Sequence, residues 1–420
     1  MNLKSKLKLF IKSQIQLIKN FSYLALFEFI NLFLPLIITP LILQKIGFAN
    51  YGKISFLQAI LLTICVITDW GYNITGVRDI SINKNNKRAL QCTISKIIYT
   101  KSLLFIALFL VYLSISLVTK DYLFYLLSFT IVLGKTIYPN WLYLGLEKNQ
   151  FLIFGAIASN LLYAILIIFF IKTSGDYIFI LFFQGGSMVL IYIIMLFYAT
   201  KTLGISILFL KKSEFLNEIK INFPIFLSNS SLTLSSYSST LILKFFISDF
   251  SLGIFSLAQK IGSISKLGLT IFSTAIFPKI SQSILDDSKS KLKKIIFKIY
   301  LPYVLVYIIS LFISLIFIKN IVYYFDSTVT MEHIFIVSVM FLIPSITMFN
   351  IIPYLVLLAN KQDKEYSKTM VFSVIISVIS LLLLVPFFEI YGAIFSIIIV
   401  EIYLVYSLYK KSESYLPKLF

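Results

Sequence analysis

Residues 23–46 read YLALFEFINLFLPLIITPLILQKI, an apolar run of 24 residues with one acid, Glu28, and one base, Lys45. A helix needs about 20 mostly apolar residues to cross the hydrocarbon core of a bilayer, so this run predicts a transmembrane helix. It is too long for the core of a cleaved signal peptide. The lysine-rich stretch from Met1 to Asn20 is therefore predicted to be an amphipathic cytoplasmic segment leading into that helix.

The remainder of the 420-residue chain has the same character. It is 59% hydrophobic and 13% charged, with a mean hydropathy of +0.94, which lies far outside the usage of soluble proteins. Further apolar runs occur at about 53–76, 97–118, 122–145, 151–171, 177–199, 221–247, 253–278, 296–318, 333–358, 367–388 and 390–409. The sequence therefore predicts an all-α polytopic membrane protein of about twelve spans, with no room for a folded enzyme domain.

The positive charges predict the orientation of these spans. The net charge is +19, and lysine-rich connections follow predicted spans 2, 6, 8 and 10 and close the chain, whereas the intervening connections carry few cations. Basic connections stay in the cytoplasm. This places both termini in the cytoplasm. Because orientation explains the basic loops, no nucleic-acid partner is predicted.

The sequence contains an internal repeat. Residues 51–60, YGKISFLQAI, align without a gap with residues 252–261, LGIFSLAQKI. A constant offset predicts a duplication into two parallel six-helix halves, related by an axis along the membrane normal around a central cavity. The predicted lobes are residues 1–205 and 206–420. Matched pairs include Gly52 with Gly253, Ser55 with Ser256, Gln58 with Gln259, Thr39 with Thr240, and Arg78 with Lys279.

Predicted span 8 carries a polar face. Its polar residues alternate at spacings of three and four, which places them on one side of a helix; they are Ser256, Gln259, Ser263, Lys266, Thr270 and Ser273. Lys266 lies near the middle of the span, and a charge at that depth usually faces the protein interior or water. We therefore predict a water-filled cavity, to which Asn229 of the serine-rich span 7 and Asn31 of span 1 also contribute. Packing of small residues between helices remains the alternative for span 7.

Other charges lie within the apolar runs. Lys135 is near the middle of span 4, and with Lys260 and Lys266 it predicts an anionic cargo. Arg78 and Lys279, at matching cytoplasmic helix ends, would attract that cargo or anchor to lipid phosphates. Three acids, Glu28, Asp69 and Glu401, are either ion-pair partners or sites of H+ or Na+ coupling.

Other kinds of chemistry find little support in the sequence. There is no nucleotide-binding loop, His333 is the only histidine, and Cys65 and Cys92 are isolated. No catalytic residue, metal site or cofactor is predicted.

Three stretches resemble a known family. They are residues 46–58 (IGFANYGKISFLQ), 69–81 (DWGYNITGVRDIS) and 138–148 (YPNWLYLGLEK). They are similar to the Gly-x-x-x-Tyr-Gly, Asp-x-Gly-x-Asn…Arg-Asp/Glu and Pro-x-Trp…Gly-x-Glu motifs of the polysaccharide-transport family. Its members are O-antigen (Wzx-type) lipid-linked oligosaccharide flippases, relatives of MATE exporters in the MOP exporter superfamily.

The resemblance implies a V-shaped pair of lobes around a cationic cavity. Its implied cargo is an undecaprenyl-diphosphate-linked oligosaccharide, moved from the cytoplasmic to the outer leaflet of a bacterial inner membrane by alternating access. The implied partners are membrane lipid, this glycolipid, a polysaccharide polymerase and other proteins of the pathway. Basic residues here are almost all lysine, so cavity positions expected to bear arginine would be lysine or absent.

Two functions other than glycolipid transport are also conceivable for a membrane protein of this kind. A MATE-like cation-coupled drug antiporter is the alternative, but several buried lysines argue against a cationic cargo. A membrane glycosyltransferase or polymerase would need paired acids or a sizeable extracytoplasmic loop, and the connections here are short. The sequence therefore predicts a transporter rather than an enzyme.

Overall fold

The computed structural model describes residues 3–208, 211–286, 289–325 and 329–416, and within these ranges the chain is helical apart from short connections. The α-helices are α1 (Leu3–Asp69), α2 (Tyr72–Asn83), α3 (Lys87–Ser116), α4 (Tyr122–Ser128), α5 (Thr130–Ile137), α6 (Asn140–Gly145), α7 (Gln150–Phe170), α8 (Ile180–Leu203), α9 (Lys212–Leu243), α10 (Asp249–Leu285), α11 (Lys289–Ile295), α12 (Leu301–Phe325), α13 (Met331–Leu342), α14 (Pro344–Thr347), α15 (Ile351–Ala359) and α16 (Asp363–Ser412). Short 3-10 segments at Ser174–Phe179 and Met348–Asn350 and a π-helical turn at Ile296–Tyr300 complete the pattern.

Nine helical stretches in the described ranges are long and apolar enough to cross a bilayer. Two of them exceed one crossing, because Ala25–Asn83 has 59 residues and Asp363–Ser412 has 50, while a core of about 30 Å needs roughly 20. Each contains a backbone break. The 32-residue helix α9 is more polar and is not among the nine. Splitting the two long stretches and adding α9 gives twelve crossings in the described part of the chain, and the predicted all-α polytopic class is confirmed.

The two backbone breaks lie inside α1 and α16. Gly47 has a φ of +74°, a conformation that glycine adopts without the clash of a Cβ atom. Glu389 breaks α16 with a φ of +49°. Beyond it the helix folds back, because the hydroxyls of Thr369 and Ser407 lie 3.3 Å apart, whereas 38 residues of straight helix would separate them by about 57 Å. The long helix α16 is therefore a hairpin of two spans.

The outward surface of the helices is apolar. Phe169, Ile316 and Phe387 are 67%, 73% and 80% exposed, respectively. Large apolar side chains exposed along whole helices are unfavourable in water but suit a lipid environment, where helices keep all their backbone hydrogen bonds internal. The protein is an integral membrane protein.

Contacts between residues divide the chain into two compact units. Unit 1 contains the residues up to Ile38 together with Leu61–Asn229, and unit 2 contains Thr39–Ile60 together with the residues from Ser230 onward. Helices α1 and α9 therefore each contribute residues to both units. The predicted lobes 1–205 and 206–420 and their V shape stay predictions.

In unit 1, glycines allow α2 to pack closely against α6. A Cβ atom added to Gly76 would lie 3.1 Å from Cβ of Trp141, and one added to Gly145 would lie 2.6 Å from Cβ of Ile80. Trp141 is fully buried in this contact. Two of the stretches that resemble the flippase family thus meet here, where their glycines and tryptophan determine the packing.

The start of the second family-like stretch packs against the first half of α9. Gly71 has a φ of +84°, and Ile225 fills the space where a Cβ atom would lie. The ring of Trp70 stacks on Phe226 at 4.1 Å between centroids, and its indole N–H donates to the carbonyl oxygen of Ile219 at 3.0 Å. The first half of α9 is therefore part of unit 1.

In unit 2, predicted span 10 is an irregular helix made of α13, α14, a 3-10 turn and α15. Pro344 has no N–H to continue the regular helical ladder. Side chains of neighbouring helices bond to carbonyl oxygens of this span: Ser265 donates to Phe341 at 3.0 Å, and Tyr300 donates to Met348 at 2.8 Å. These bonds hold the irregular segment against α10 and the start of α12.

Also in unit 2, two repeat-related glycines form a reciprocal contact. A Cβ atom on Gly52 would overlap the carbonyl oxygen of Asp249, and one on Gly253 would overlap the carbonyl oxygen of Phe48. The offset that relates Gly52 to Gly253 also relates Phe48 to Asp249. The two repeat-related segments therefore contact each other through equivalent residues, as the two subunits do at a two-fold interface. This symmetry agrees with the predicted duplication.

Candidate substrate site

Unit 2 contains a cavity of about 350 Å³ between α10, the irregular span 10 and α16. Its wall combines leucine, isoleucine, methionine and tyrosine side chains with polar and charged groups, which is the usual make-up of a ligand site. The polar, aromatic and sulfur-containing lining residues are Lys266, Thr270, Ser273, Thr347, Asn350, Tyr354, Tyr366, Met370 and Glu401.

The charged groups of the cavity form a loose ion pair. Nζ of Lys266 lies 3.7 Å from Oε1 of Glu401, beyond the distance of a direct hydrogen bond. The lysine side chain is 56% exposed, whereas that of Glu401 is only 9% exposed. The amide nitrogen of Asn350 donates to Oε2 of Glu401 at 3.3 Å. Asn350 therefore fixes the carboxylate, while the ammonium group keeps most of its surface accessible.

Two buried polar atoms beside this pair have no hydrogen-bond partner within the described residues: Oδ1 of Asn350 and Oγ1 of Thr347. Asn350 is only 7% exposed. The two residues are three positions apart across a 3-10 turn, where residues i and i+3 lie one above the other. The irregular backbone of span 10 thus turns two polar side chains to the same side.

Lys260 lies on the same helix but outside this cavity. Its Nζ donates to Oγ1 of Thr39 at 2.7 Å and to the hydroxyl of Tyr51 at 3.4 Å. This lysine is therefore engaged by the end of predicted span 1 and the start of span 2. Lys279 lies further along α10 and is exposed.

The charged site residues that the sequence predicted in unit 1 interact with residues of that unit. The carboxyl of Glu28 lies within electrostatic range of the ammonium group of Lys135. The carboxylate of Asp69 pairs with Nζ of Lys101 at 3.2 Å and accepts a bond from the backbone N–H of Asn73 at 3.1 Å. Arg78 pairs with its neighbour Asp79 at 2.9 Å in an exposed position.

The predicted polar face of span 8 divides into two parts. Lys266, Thr270 and Ser273 line the cavity. Gln259 instead accepts a bond from Thr240 at 3.0 Å, and Ser263 donates to its own helix at the carbonyl of Lys260.

The two asparagines predicted to line the cavity belong to unit 1. Asn229 donates to Asn73 at 2.8 Å, and Asn31 is half-buried on α1. The roles predicted for all these residues stay predictions.

Several residues of the cavity were not predicted from the sequence. Thr347, Asn350 and Tyr354 lie in predicted span 10, and Tyr366 lies at the start of α16. A signal was available, because two prolines, Pro344 and Pro353, lie either side of Asn350 in an otherwise apolar run. Prolines at membrane depth mark irregular helix, and irregular helix there lines a cavity or is buried in protein.

The fold of the chain is similar to the folds of solved membrane transporters. The structure superimposes on the inward-facing conformation of a multidrug resistance MATE family transporter of the MOP superfamily with a TM-score of 0.71, covering 91% of this chain and 94% of that one at 13% identity. Lipid II flippase MurJ, in an inward closed conformation, gives a TM-score of 0.67 over 92% of this chain and 86% of that one at 16% identity. The protein has the fold of the MOP transporters.

Comparison of the sequence identifies the family of the chain. The model of the family described as "Polysaccharide biosynthesis protein" matches residues 17–284, well over half of the chain. The chain belongs to this family, and the predicted relationship is confirmed.

Two curated proteins are similar in sequence to this chain. Each is named "Putative O-antigen transporter". The Escherichia coli K12 protein is 27% identical over 276 residues, which are 65% of this chain and 66% of that protein's length. The Shigella dysenteriae protein is 23% identical over 92% of this chain and 98% of that one. Both relatives are named as transporters, in agreement with the predicted class.

Proposed function

We propose that this protein is a flippase that moves a polyprenyl-diphosphate-linked oligosaccharide from the cytoplasmic to the outer leaflet of a bacterial inner membrane. Lys266 is the observation that carries this proposal. Its side chain extends from a membrane-spanning helix, is more than half exposed and lines a polar cavity. Membership of the polysaccharide biosynthesis family and the names of the two curated relatives, both O-antigen transporters, support a cargo of this kind.

The physical argument concerns where each part of the cargo is stable. The diphosphate is anionic and is attracted to an ammonium group in surroundings of low dielectric constant. The sugars are polar and need the hydrogen-bonding groups of the cavity, whereas the polyprenyl tail is stable in lipid. A cavity that opens alternately to the two sides would carry the polar part across the bilayer while the tail stays in the hydrocarbon.

The proposed orientation has both termini in the cytoplasm. It follows from the lysines in the connections after spans 2, 6, 8 and 10 and at the end of the chain. The glycolipid would enter from the cytoplasmic side, where it is assembled. A polysaccharide polymerase and other proteins of the pathway are the proposed partners.

Coupling to H+ or Na+ is proposed for the buried carboxylates. Glu401 is held by Asn350 and Lys266, and Asp69 is held by Lys101. Glu28 is near Lys135. An H+ or Na+ ion that binds one of these carboxylates would weaken its attraction to the partner lysine. No resident cofactor is part of the proposal.

The second candidate is a MATE-like cation-coupled drug antiporter, which the fold comparison favours. A cationic drug would meet repulsion from Lys266, and the cavity around it has a single carboxylate, which already interacts with that lysine. The glycolipid flippase is therefore the better match to the charge of the site.

Export in a host that lacks its own flippase tests the proposal. Lys266→Ala should reach the membrane at the normal level but lose surface polysaccharide, Lys266→Arg should retain part of it, and Lys266→Glu should be the weakest because it repels the diphosphate. Lys319→Ala is the matched control, since Lys319 lies exposed on α12 beside the ring of Tyr323. Normal export by Lys266→Glu, or drug resistance without polysaccharide export, would refute the proposal.

A further inference from the structure

We propose that His333 is a pH-sensitive cap at the outer end of span 10, which holds that end against α10 when its ring is neutral and releases it when the ring is protonated. In the proposed orientation this end faces the extracytoplasmic side, so acid outside the cell would act on the transporter. The effect on transport rests on the proposed function, whereas the cap itself does not. His333 is the only histidine of the chain.

The start of α13 is closed by a reciprocal pair of hydrogen bonds. The side chain of Thr330, at the N-cap position, accepts a bond from the backbone N–H of His333, and Nδ1 of His333 accepts one from the backbone N–H of Thr330 at 3.2 Å. This is the arrangement of a capping box, in which glutamate or glutamine usually takes the place of the histidine. Two N–H groups at the helix start are satisfied in this way.

The bond from Thr330 specifies the protonation state of the ring. A backbone N–H can only donate, so Nδ1 of His333 must carry a lone pair and the proton of the neutral ring must be on Nε2. Protonation places a hydrogen on Nδ1, which turns the acceptor into a donor and breaks the bond. The positive charge also lies in the first turn of a helix, where the helix dipole disfavours cations. Both effects release the cap in acid.

The imidazole ring also joins span 10 to α10. It contacts the ring of Phe250 in a T-shaped arrangement, with 5.7 Å between centroids and 60° between planes. Phe250 lies in the first turn of α10 and packs in turn against Phe48 at 5.6 Å. The cap therefore lies where the starts of α10 and α13 meet the residues that follow the break in α1.

One acid acts directly on the histidine. The carboxylate of Glu332, its neighbour in the chain, attracts a protonated ring and so opposes release of the cap. This carboxylate is exposed and accepts a bond from the hydroxyl of Tyr391 at 3.0 Å. Attraction through solvent is screened by salt, whereas protonation removes the bond at Nδ1 outright. The loss of the cap is therefore the larger effect.

The other charged groups on the neighbouring elements are paired or exposed. On α10, Asp249 is paired with Lys244. Lys319 on α12 lies over the ring of Tyr323, and Glu389 at the break in α16 is exposed. Histidine is the side chain that ordinarily changes its charge between about pH 5 and pH 8. We therefore assign the pH response of this end to the imidazole.

Release of the cap has a consequence for the cavity, because span 10 and α10 form two of its walls. Deeper in the helix, bonds from Ser265 and Tyr300 to carbonyl oxygens hold span 10 in place. The cap and the ring contact hold its outer end. In acid only the deeper attachments remain, so the wall is less well ordered and export should fall.

The first measurement is imidazole ¹⁵N NMR on the full-length protein in nanodiscs. A preparation without a histidine tag gives the signal of His333 alone. At about pH 7.5 the neutral ring should carry its proton on Nε2. A ring with its proton on Nδ1 at this pH would overturn the proposal, because it cannot accept the bond from Thr330.

The second measurement is hydrogen-exchange protection of the first turn of α13, relative to the intrinsic exchange rate at each pH. Between about pH 7.5 and pH 5.5 the wild-type protein should lose about fivefold in protection, the usual effect of losing a helix cap. His333→Gln keeps a capping residue that does not titrate and should stay protected at both pH values. His333→Leu should be unprotected at both. A wild-type protein without a pH response, or an equal response in His333→Gln, would overturn the cap.

Two variants test the neighbouring acids. Glu332→Gln and Asp326→Asn should each keep the pH response of the wild type; Asp326 lies outside the described residues. Loss of the response in either variant would show that a carboxylate titrates instead of the histidine. Protection of α15, Ile351–Ala359, should be the same in all variants and at both pH values, and a change there would mean global unfolding rather than release of a cap.

Export from cells tests the consequence for transport. Lowering the external pH from about 7.5 to about 5.5 should reduce surface polysaccharide about two- to threefold in the wild type and leave it unchanged in His333→Gln. An equal reduction in both would overturn the link between the cap and transport. The NMR and exchange measurements need no cargo, so a failed cap and a failed flippase function are seen separately. No export at any pH, with the cap intact, would refute only the flippase function.

Discussion

Each unit contains an ion pair within its helices, and the two pairs differ in how completely they are closed. In unit 1, Lys101 lies 3.2 Å from Asp69, its side chain is only 3% exposed, and the carboxylate also accepts a backbone N–H bond. In unit 2, Lys266 is 3.7 Å from Glu401 and is 56% exposed. The first lysine is enclosed by protein, whereas the second keeps its charge accessible from the cavity.

This difference distinguishes an ion pair that mainly stabilises the fold from one that can also contact a ligand. A charge removed from water is stable only if its partner satisfies it, so Lys101 and Asp69 depend on each other. Lys266 retains access to its surroundings and depends less on Glu401, which leaves its ammonium group available to a ligand. An ionisable residue inside a membrane helix can therefore meet a ligand directly only when its surroundings leave it open.

The largest expected effect follows from breaking the closed pair. Lys101→Met should lower the free energy of unfolding by about 3–5 kcal/mol, because Asp69 then remains charged and mostly buried without its partner. Thermal unfolding of the purified protein and its level in the membrane measure this loss. Lys319→Met is the control on an exposed lysine and should change neither. A Lys101→Met protein as stable as the wild type would show that the pair is not enclosed.

The next effect is a rescue. The double variant Lys101→Met with Asp69→Asn should recover more than half of the stability lost in Lys101→Met, because it removes the uncompensated charge and keeps an acceptor for the backbone N–H of Asn73. The same unfolding measurement applies. Additive losses in the double variant would mean that the two residues do not form a coupled pair.

Breaking the open pair should affect stability much less. Glu401→Gln should lower the free energy of unfolding by less than about 1 kcal/mol, since Lys266 can be solvated and glutamine still accepts a bond from Asn350. Transport should nevertheless fall if the pair takes part in cargo binding. Unfolding as severe as in Lys101→Met would place Glu401 among the structural residues.

The smallest expected effect is that of salt. Between about 0.1 M and 1 M salt the Debye length falls from about 10 Å to about 3 Å, and exposed pairs are screened more than buried ones. The coupling energy of Lys266 and Glu401, from a double-mutant cycle, should decrease over this range by a few tenths of a kcal/mol. The coupling of Lys101 and Asp69 should stay constant. An equal salt response would remove the contrast between the two pairs.

The sequence was sufficient to predict the helices and their number. Hydropathy located the spans because lipid requires long apolar helices, and a polar face with Lys266 at its centre located one wall of the cavity. The break at Gly47 follows from the short polar interval between two apolar runs. These features depend on local sequence, so they could be read without a structure.

The partners of the charges could not be read in the same way. Asp69 pairs with Lys101, which is 32 positions away on another helix, and Glu401 contacts Asn350, which is 51 positions away. Such pairs are formed by tertiary packing, and neither periodicity nor charge distribution specifies them. The inner side of the irregular span 10 is likewise set by where its helix is interrupted, which hydropathy does not resolve.

The predicted duplication gives the reciprocal contact of Gly52 and Gly253 an evolutionary consequence. After a gene duplication the two copies drift independently at most positions, since each position has its own neighbours. Here each copy provides the surface on which the other rests, so a larger residue on either side meets the backbone of its counterpart. Divergence at this point is constrained in both copies at once, and the fused chain retains the mutual constraint that a symmetric dimer imposes on a single gene.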